Sequence, residues 1–293
     1  MAINPKAVFL DMDGTILNHM NKVSMETKEV IDELRSEGIF VFVATGRSAD
    51  EVAEMLPEGF AVDGIITANG MAGYIGEEVV FEHALPMELV ETVLSKARER
   101  KIYYELFPHR KPRLVLERDR AFVEAAVRDP KPESVQINEW ISRQKAIEEE
   151  IEWTDEITET HFSKFYFFAR TRKEINDWKI ELKQLQKDMK FTMTPSSPHN
   201  AEVMVADVSK ASGIEQMLER FGLTGCETLA IGDSDNDVKM FEYVSYAVAM
   251  ENAHDHIKAL VDEVTEFNCD ENGVYHYLKS KVLASIDTKA SKA

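Results

Sequence analysis

Asp11 and Asp13 stand one residue apart at the end of the apolar run Ala7-Val8-Phe9-Leu10, and Gly14-Thr15 follows them. Close carboxylates repel, so a cation is their natural companion. Magnesium is the hard ion usually held by few carboxylates plus phosphate. If the strand persists the two acids share a face; if the chain turns they can still converge; and an acidic turn that merely closes a strand has the same pattern. Thr45-Gly46-Arg47 follows a second apolar run. A hydroxyl, a bare backbone and a guanidinium suit a phosphate oxygen, although a glycine there also serves a plain turn. Lys210 comes one residue after Ser209, a helix-capping residue. The helix dipole disfavours a cation at that end, so the lysine is either solvated or faces an anion. Gly232-Asp233-Ser234-Asp235-Asn236-Asp237 again follows an apolar run. Its acids need pairing or a metal if buried, and it lacks the Gly at position 6 and the Glu at position 12 of an EF-hand loop.

The elements that must position these clusters read as an α/β chain. Apolar runs 7–10, 39–44 and 64–67 alternate with helical stretches starting at Ser24 and near Ala49. That order predicts a parallel sheet with right-handed crossovers. The pattern resumes after Ser209, where Ile214, Met217, Leu218 and Phe221 lie at helical spacing and the strands Thr228–Ile231 and Tyr246–Met250 follow. Between them, helix 88–100, strands 102–107 and 113–117, a polar run 147–153, strand 164–169, helix 173–187 and strands 191–194 and 202–206 read as an α+β unit. The expectation is a core from residues 1–85 and 208–293, interrupted by an inserted domain at 86–207. All four clusters then lie at strand ends, where open α/β sheets place their ligands. The tail after Leu283 reads as frayed.

Composition narrows the class. There are 53 acidic against 34 basic residues, a net charge of −19. Such a body repels nucleic acid and anionic membrane, and a small anion needs local positive charge or a bound cation. Cys226 and Cys269 form no disulfide framework, and no apolar run suits a signal peptide or a membrane helix. The expectation is a cytoplasmic protein with no membrane or nucleic-acid partner; the sequence does not set its oligomeric state.

Taken together, Asp11-x-Asp13-Gly14-Thr15, Thr45-Gly46-Arg47, Lys210 and Gly232-Asp233-x-x-Asn236-Asp237 resemble the four motifs of the haloacid dehalogenase (HAD) superfamily. Thr67-Ala68-Asn69-Gly70, Met250-Glu251-Asn252-Ala253 and Asp270-Glu271-Asn272-Gly273-Val274 resemble its Cof-type, sugar-phosphatase-like branch. Lys210-Ala211-Ser212-Gly213 departs from relatives that often carry Gly directly after the lysine. The resemblance implies a Rossmann-like parallel-sheet core with an α+β cap of the C2 type. It also implies a magnesium-dependent phosphatase for small phosphorylated metabolites such as sugar phosphates.

In that family the first aspartate is the nucleophile, here Asp11, which becomes an aspartyl-phosphate. Asp13 is then the general acid and base, its pKa raised by burial and by a neighbouring carboxylate. The Asp11 carboxylate, the Asp13 backbone carbonyl and Asp233 are the implied magnesium ligands. Thr45 and Lys210 hold phosphate oxygens, and Asp237 orients Lys210 or a metal-bound water. Gly46, Arg47, Asn69 and Asn236 are the further substrate-binding candidates. In the cap, Tyr103, Tyr104, His109, Arg110, Arg113 and Lys164 are candidates for specificity, or alternatively cap core and surface. A phosphomutase shares the same aspartates. A non-catalytic phospholigand-binding regulator would be expected to have lost one of Asp11, Asp13, Lys210, Asp233 or Asp237, and all are present.

Overall fold

The apolar runs that lead into the acidic motifs become the middle of one sheet. The computed structural model describes residues 4–109, 111–194 and 197–286. Its first elements alternate: β1 (Ala7–Leu10), α1 (Met25–Ser36), β2 (Phe40–Ala44), α2 (Ala49–Met55) and β3 (Gly64–Thr67). Ser24 caps α1 by accepting from the Thr27 amide, and Val30, Ile31 and Leu34 form its buried stripe. A hairpin of β4 (Ala72–Ile75) and β5 (Glu78–Glu82) then extends the sheet antiparallel to β3; the sequence reading has no counterpart for it.

The chain next forms α3 (Met87–Arg100), β6 (Tyr103–Pro108), β7 (Arg113–Leu116), α4 (Arg120–Ala126) and α5 (Ile137–Lys145). β8 (Ile151–Thr154), β9 (Phe162–Phe168), α6 (Arg172–Leu185), β10 (Phe191–Thr194) and β11 (Asn200–Val205) complete this stretch. Their strands make a six-stranded sheet in the order β10-β11-β9-β6-β7-β8, antiparallel except for the β7–β8 pair. Leu89 and Val93 of α3, Trp140 of α5, and Ile175, Trp178 and Leu182 of α6 pack on Phe165, Phe167 and Phe168 of β9. The run 147–153, read only as polar, runs into β8. Both α4 and α5 escape the sequence reading because short helices carry little periodic signal.

The remaining elements return to the first sheet: α7 (Lys210–Phe221), β12 (Thr228–Gly232), α8 (Val238–Tyr243), β13 (Tyr246–Ala249), α9 (Asp255–Lys258), β14 (Glu263–Val264) and α10 (Gly273–Tyr277). The sheet runs β14-β13-β12-β1-β2-β3-β4-β5 and is parallel from β14 through β3. Successive residues of β1 face opposite layers. Val8 and Leu10 pack with α1 and α10, and Ala7 and Phe9 with α7 and α8. Covered on both faces, these strands read as unbroken apolar runs. The chain divides into two compact units, one of the residues up to Glu82 with those from Val208 on, the other His83–Asp207. Residues 284–286 continue helically; the rest of the tail expected to fray lies outside the described residues.

Candidate active site

β1 ends at Leu10, so Asp11 is the first residue beyond the strand. The chain turns at once: the amides of Thr15 and Leu17 donate to the Met12 carbonyl, and Gly14 adopts a positive φ of 70°. This turn separates the two aspartates. Asp11 is buried, whereas the Asp13 side chain is 52% exposed and is held by Arg47. Arg47 Nε donates to Asp13 Oδ2 at 2.8 Å and Nη2 donates to Oδ1, a bidentate clamp. The burial invoked for an acid at Asp13 is therefore absent, and Arg47 lies on Asp13.

Lys210 opens α7 behind the Ser209 cap and is fully buried. Its Nζ donates to Asp11 Oδ1 at 2.5 Å and to Asp237 Oδ1 at 2.6 Å. The anion that its place at a helix start calls for is thus a pair of carboxylates. Asp237 Oδ2 accepts from the amides of Asp233 and Ser234, which fixes the loop beyond β12. Burial lowers the Lys210 pKa, but Asp11 and Asp237 outweigh it and leave it raised.

The carboxylates are under-compensated. Burial pushes Asp11 well up, with Asp237, Asp233 and Asp13 adding to the rise and Lys210 opposing it. Burial, then Asp237, pushes Asp233 up to about 7 against the pull of Lys210. Asp233 Oδ1 is buried without a hydrogen-bond partner among the described residues. The carboxylates of Asp11, Asp233 and Asp237 offer oxygens within 4.8 Å of one another. Oxygen-only, anionic and partly orphaned, this donor set fits a hard divalent cation. The third carboxylate beside Asp11 and Asp233 is that of Asp237; the Asp13 carboxylate points into its clamp with Arg47 instead.

The wall opposite is built from the ends of β2 and β3. Thr45 is buried, its hydroxyl accepts from the Arg47 amide, and its carbonyl accepts from the Asn69 amide. Ala68 and Asn69 take left-handed conformations. Asn236 donates from its amide to Asn69 Oδ1 at 3.1 Å, beside the bare Gly46 backbone. Gly70, at φ 96°, passes so close to α7 that a Cβ there would sit 2.0 Å from the Ser209 carbonyl oxygen. The loop after β3 is thereby pressed onto the helix start that carries Lys210.

In the sequence Asn252 stands out only as part of the Met250-Glu251-Asn252-Ala253 motif. Its amide donates to the Gly14 carbonyl at 2.8 Å and its Oδ1 accepts from the Cys269 amide at 3.0 Å. It staples the first acidic loop to the loop before α10. Of the specificity candidates in the 83–207 unit, Tyr103 donates to the buried Glu105 and Tyr104 to Asp119. Arg113 pairs with Glu105 and Glu150, Lys164 with Glu202, and His109 contacts the His83 carbonyl. Arg110 lies outside the described residues.

A profile of the haloacid dehalogenase-like hydrolases matches residues 8–278. The chain belongs to that family. Curated relatives include the Bacillus subtilis 5-amino-6-(5-phospho-D-ribitylamino)uracil phosphatase YcsE, 27% identical over 96% of this chain and 97% of that one. The B. subtilis phosphatase YwpJ is 28% identical over 94% and 99%. A solved haloacid dehalogenase-like hydrolase from B. subtilis superposes with a TM-score of 0.75 at 24% identity, covering 94% of this chain and 99% of the other. This HAD hydrolase is a phosphatase of the Cof type, with a mixed α/β fold around a parallel-sheet core. Among its described residues no helix is long and apolar enough to cross a membrane.

Proposed function

We propose that this HAD hydrolase is a magnesium-dependent phosphomonoesterase for small, soluble phosphorylated metabolites, acting through an aspartyl-phosphate on Asp11. The observation that carries the proposal is the buried Lys210, held between Asp11 and Asp237 with the orphaned oxygen of Asp233 in the same cluster. Asp11, Asp233 and the Asp13 backbone carbonyl would hold the ion. Bound there, magnesium would neutralise excess carboxylate charge and the charge that spreads over the transferring phosphoryl group.

The chain's own residues supply the rest. Lys210 engages Asp11 Oδ1, so Oδ2 is the oxygen that attacks phosphorus. As the phosphorus–oxygen bond to the leaving group breaks, Asp13 gives that oxygen a proton. It then takes a proton from the water that cleaves the aspartyl-phosphate and releases inorganic phosphate. Arg47 orients Asp13 for both transfers. Thr45, the Gly46 backbone, Asn69, Asn236 and the remaining proton of Lys210 would grip the phosphate oxygens, and Asp237 positions Lys210. The His83–Asp207 unit is read as the substrate-selecting cap. The name of YcsE, a phosphatase for a phosphorylated ribityl compound, supports a small polyol- or sugar-phosphate class. The net charge of −19 supports the exclusion of polyanions.

Phosphate release across a panel of phosphorylated metabolites, with magnesium and with excess chelator, tests the reading. Turnover of at least one monoester that is abolished by chelator is expected. Full turnover in chelator, or preference for a phosphodiester, overturns it.

A further inference from the structure

A second set of metal-ligating side chains lies in the core unit, outside the proposed catalytic machinery. His19 belongs to the loop after the first acidic motif; Cys269 and Asp270 stand in the short turn before α10. Some 250 residues of sequence separate them, yet His19 Nδ1 lies 2.6 Å from Asp270 Oδ2 and 3.8 Å from Cys269 Sγ. The three donor atoms all fall within 4.8 Å of one another.

The backbone holds this arrangement in place. The His19 amide donates to Asp270 Oδ1 at 2.9 Å. Asn268 Oδ1 accepts from the amides of Asp270 and Glu271, and Asn252 Oδ1 accepts from that of Cys269. His19 and Asp270 are exposed, whereas Cys269 is buried with its sulfur turned towards the imidazole. An ordinary surface histidine–aspartate pair needs no thiol beneath it.

We infer that His19, Cys269 and Asp270 form a binding site for a borderline-soft divalent cation, zinc in the first instance, distinct from the all-oxygen cluster of Asp11, Asp233 and Asp237. Tetrahedral zinc bonds of 2.0–2.3 Å place neighbouring nitrogen, oxygen and sulfur ligands about 3.3–3.6 Å apart. The sulfur–imidazole distance of 3.8 Å is already close to that. The imidazole–carboxylate pair must open by less than about 1 Å, which two exposed side chains allow. Three protein ligands leave the fourth position to water. On binding, the thiol proton leaves to water and the sulfur binds as thiolate, while the imidazole binds through Nδ1 with its ring proton on Nε2. A nitrogen, sulfur and oxygen set prefers zinc, whereas an all-oxygen set suits magnesium. Two chemically different cations can therefore occupy two places about the same loop. Asn252 joins them, since its side chain touches both Cys269 and Gly14.

The test uses the full chain in excess magnesium, which saturates the all-oxygen cluster, with cobalt(II) as a spectroscopic stand-in for zinc. One equivalent of cobalt should produce a thiolate-to-cobalt charge-transfer band and tetrahedral d–d absorption, both erased by one equivalent of zinc. Cys226→Ser should keep the band and Cys269→Ser should abolish it. His19→Ala and Asp270→Asn should each weaken zinc binding about 100-fold or more, beyond the 10–100-fold typical of losing a mere supporting partner. His19→Ala should retain its magnesium-dependent phosphatase rate. The inference is overturned if no thiolate band appears, if the band survives Cys269→Ser, or if zinc binds wild type and His19→Ala equally well.

Discussion

Lys210 Nζ sits 2.5 Å from Asp11 Oδ1, both residues buried, although they are 199 positions apart in the sequence. That contact makes the lysine both a structural cation and a chemical one. Removing one member of a buried ion pair costs about 3–5 kcal/mol because the partner charge is stranded. Lys210→Met should accordingly lower the melting temperature and cut phosphate release by at least about 100-fold, since a donor to developing charge is typically worth 10²–10³ in rate. Thermal unfolding and p-nitrophenyl phosphate turnover check both halves, and an unchanged melting temperature would contradict the buried pair.

Burial, and after it the neighbouring Asp237, pushes the Asp233 carboxyl up to about 7, so a bound cation would favour its ionised form. Magnesium should therefore stabilise the folded protein by binding it selectively. At one hundred times the dissociation constant, the gain is about 2.7 kcal/mol. Asp233→Asn should lose most of this magnesium-dependent shift in melting temperature, which differential scanning fluorimetry reads directly.

Asp13 is exposed and clamped by Arg47 rather than buried. If it serves as the acid, Asp13→Asn should hurt a sugar phosphate, whose alkoxide must be protonated, by about 10²–10⁴-fold. The same variant should lose far less of the first chemical step on p-nitrophenyl phosphate. Equal losses in single-turnover measurements on the two substrates would remove Asp13 from that role.

Gly70 and Gly76 make a matched pair. Both have positive φ, but a Cβ at Gly76 meets nothing within 4 Å, while one at Gly70 meets the Ser209 carbonyl at 2.0 Å. Gly76→Ala should cost about 1–2 kcal/mol, the left-handed penalty alone. Gly70→Ala should cost about 3 kcal/mol or more and depress the rate as well, because relief of the clash moves the start of α7 and Lys210 with it. Urea unfolding curves for the two variants decide the point.

Glu105 gives a pH prediction. Its carboxylate is fully buried and accepts from Tyr103, Arg113 and Arg143. Burial pushes its pKa up, but Arg143 and then Arg113 outweigh that and hold it below 4.5. A depressed carboxylate contributes stability that is present in full above 4.5 and is lost as pH falls through the folded-state value. Glu105→Gln should cost about 3–5 kcal/mol at neutral pH by stranding two guanidinium groups. The gap from wild type should narrow as the solution is acidified below 4.5. A gap that is constant over that range would mean that Glu105 is not ionised in the fold.

Much of the site could be read before any coordinate because its chemistry demands particular residue types directly after apolar strands. Asp11, Thr45 and Asp233 are legible for that reason, and Lys210 because a cation directly behind a helix cap is out of place unless it faces an anion. Their partners are less so. The clamp between Arg47 and Asp13 depends on a turn at Gly14 that swings one aspartate inward and the other out, and residue spacing does not encode that choice. Asn252 acts through one side-chain amide reaching two distant backbones, with no charge or periodicity to announce it. The β4–β5 hairpin hides because its strands are short and Gly73 interrupts the alternation of β4. The trio of His19, Cys269 and Asp270 is invisible in sequence because its members come from opposite ends of the chain.

The pairing of β1 bears on how the protein is made. β1 lies between β2 and β12, with Ala7 beside Phe40 on one side and Thr228 on the other. On a ribosome β2 emerges soon after β1, but β12 follows only after the whole of His83–Asp207. Until then the central strand of the finished sheet is an open edge, the kind of surface that recruits other strands. The long loop closure also makes this pairing slow. The inserted unit, contiguous in sequence and with a core of its own, is free to fold during that wait. Asp11 meets Lys210 and Asp233 only once the chain beyond Val208 has docked, so on the proposed mechanism the nascent polypeptide cannot turn over a phosphate ester before those residues have been made.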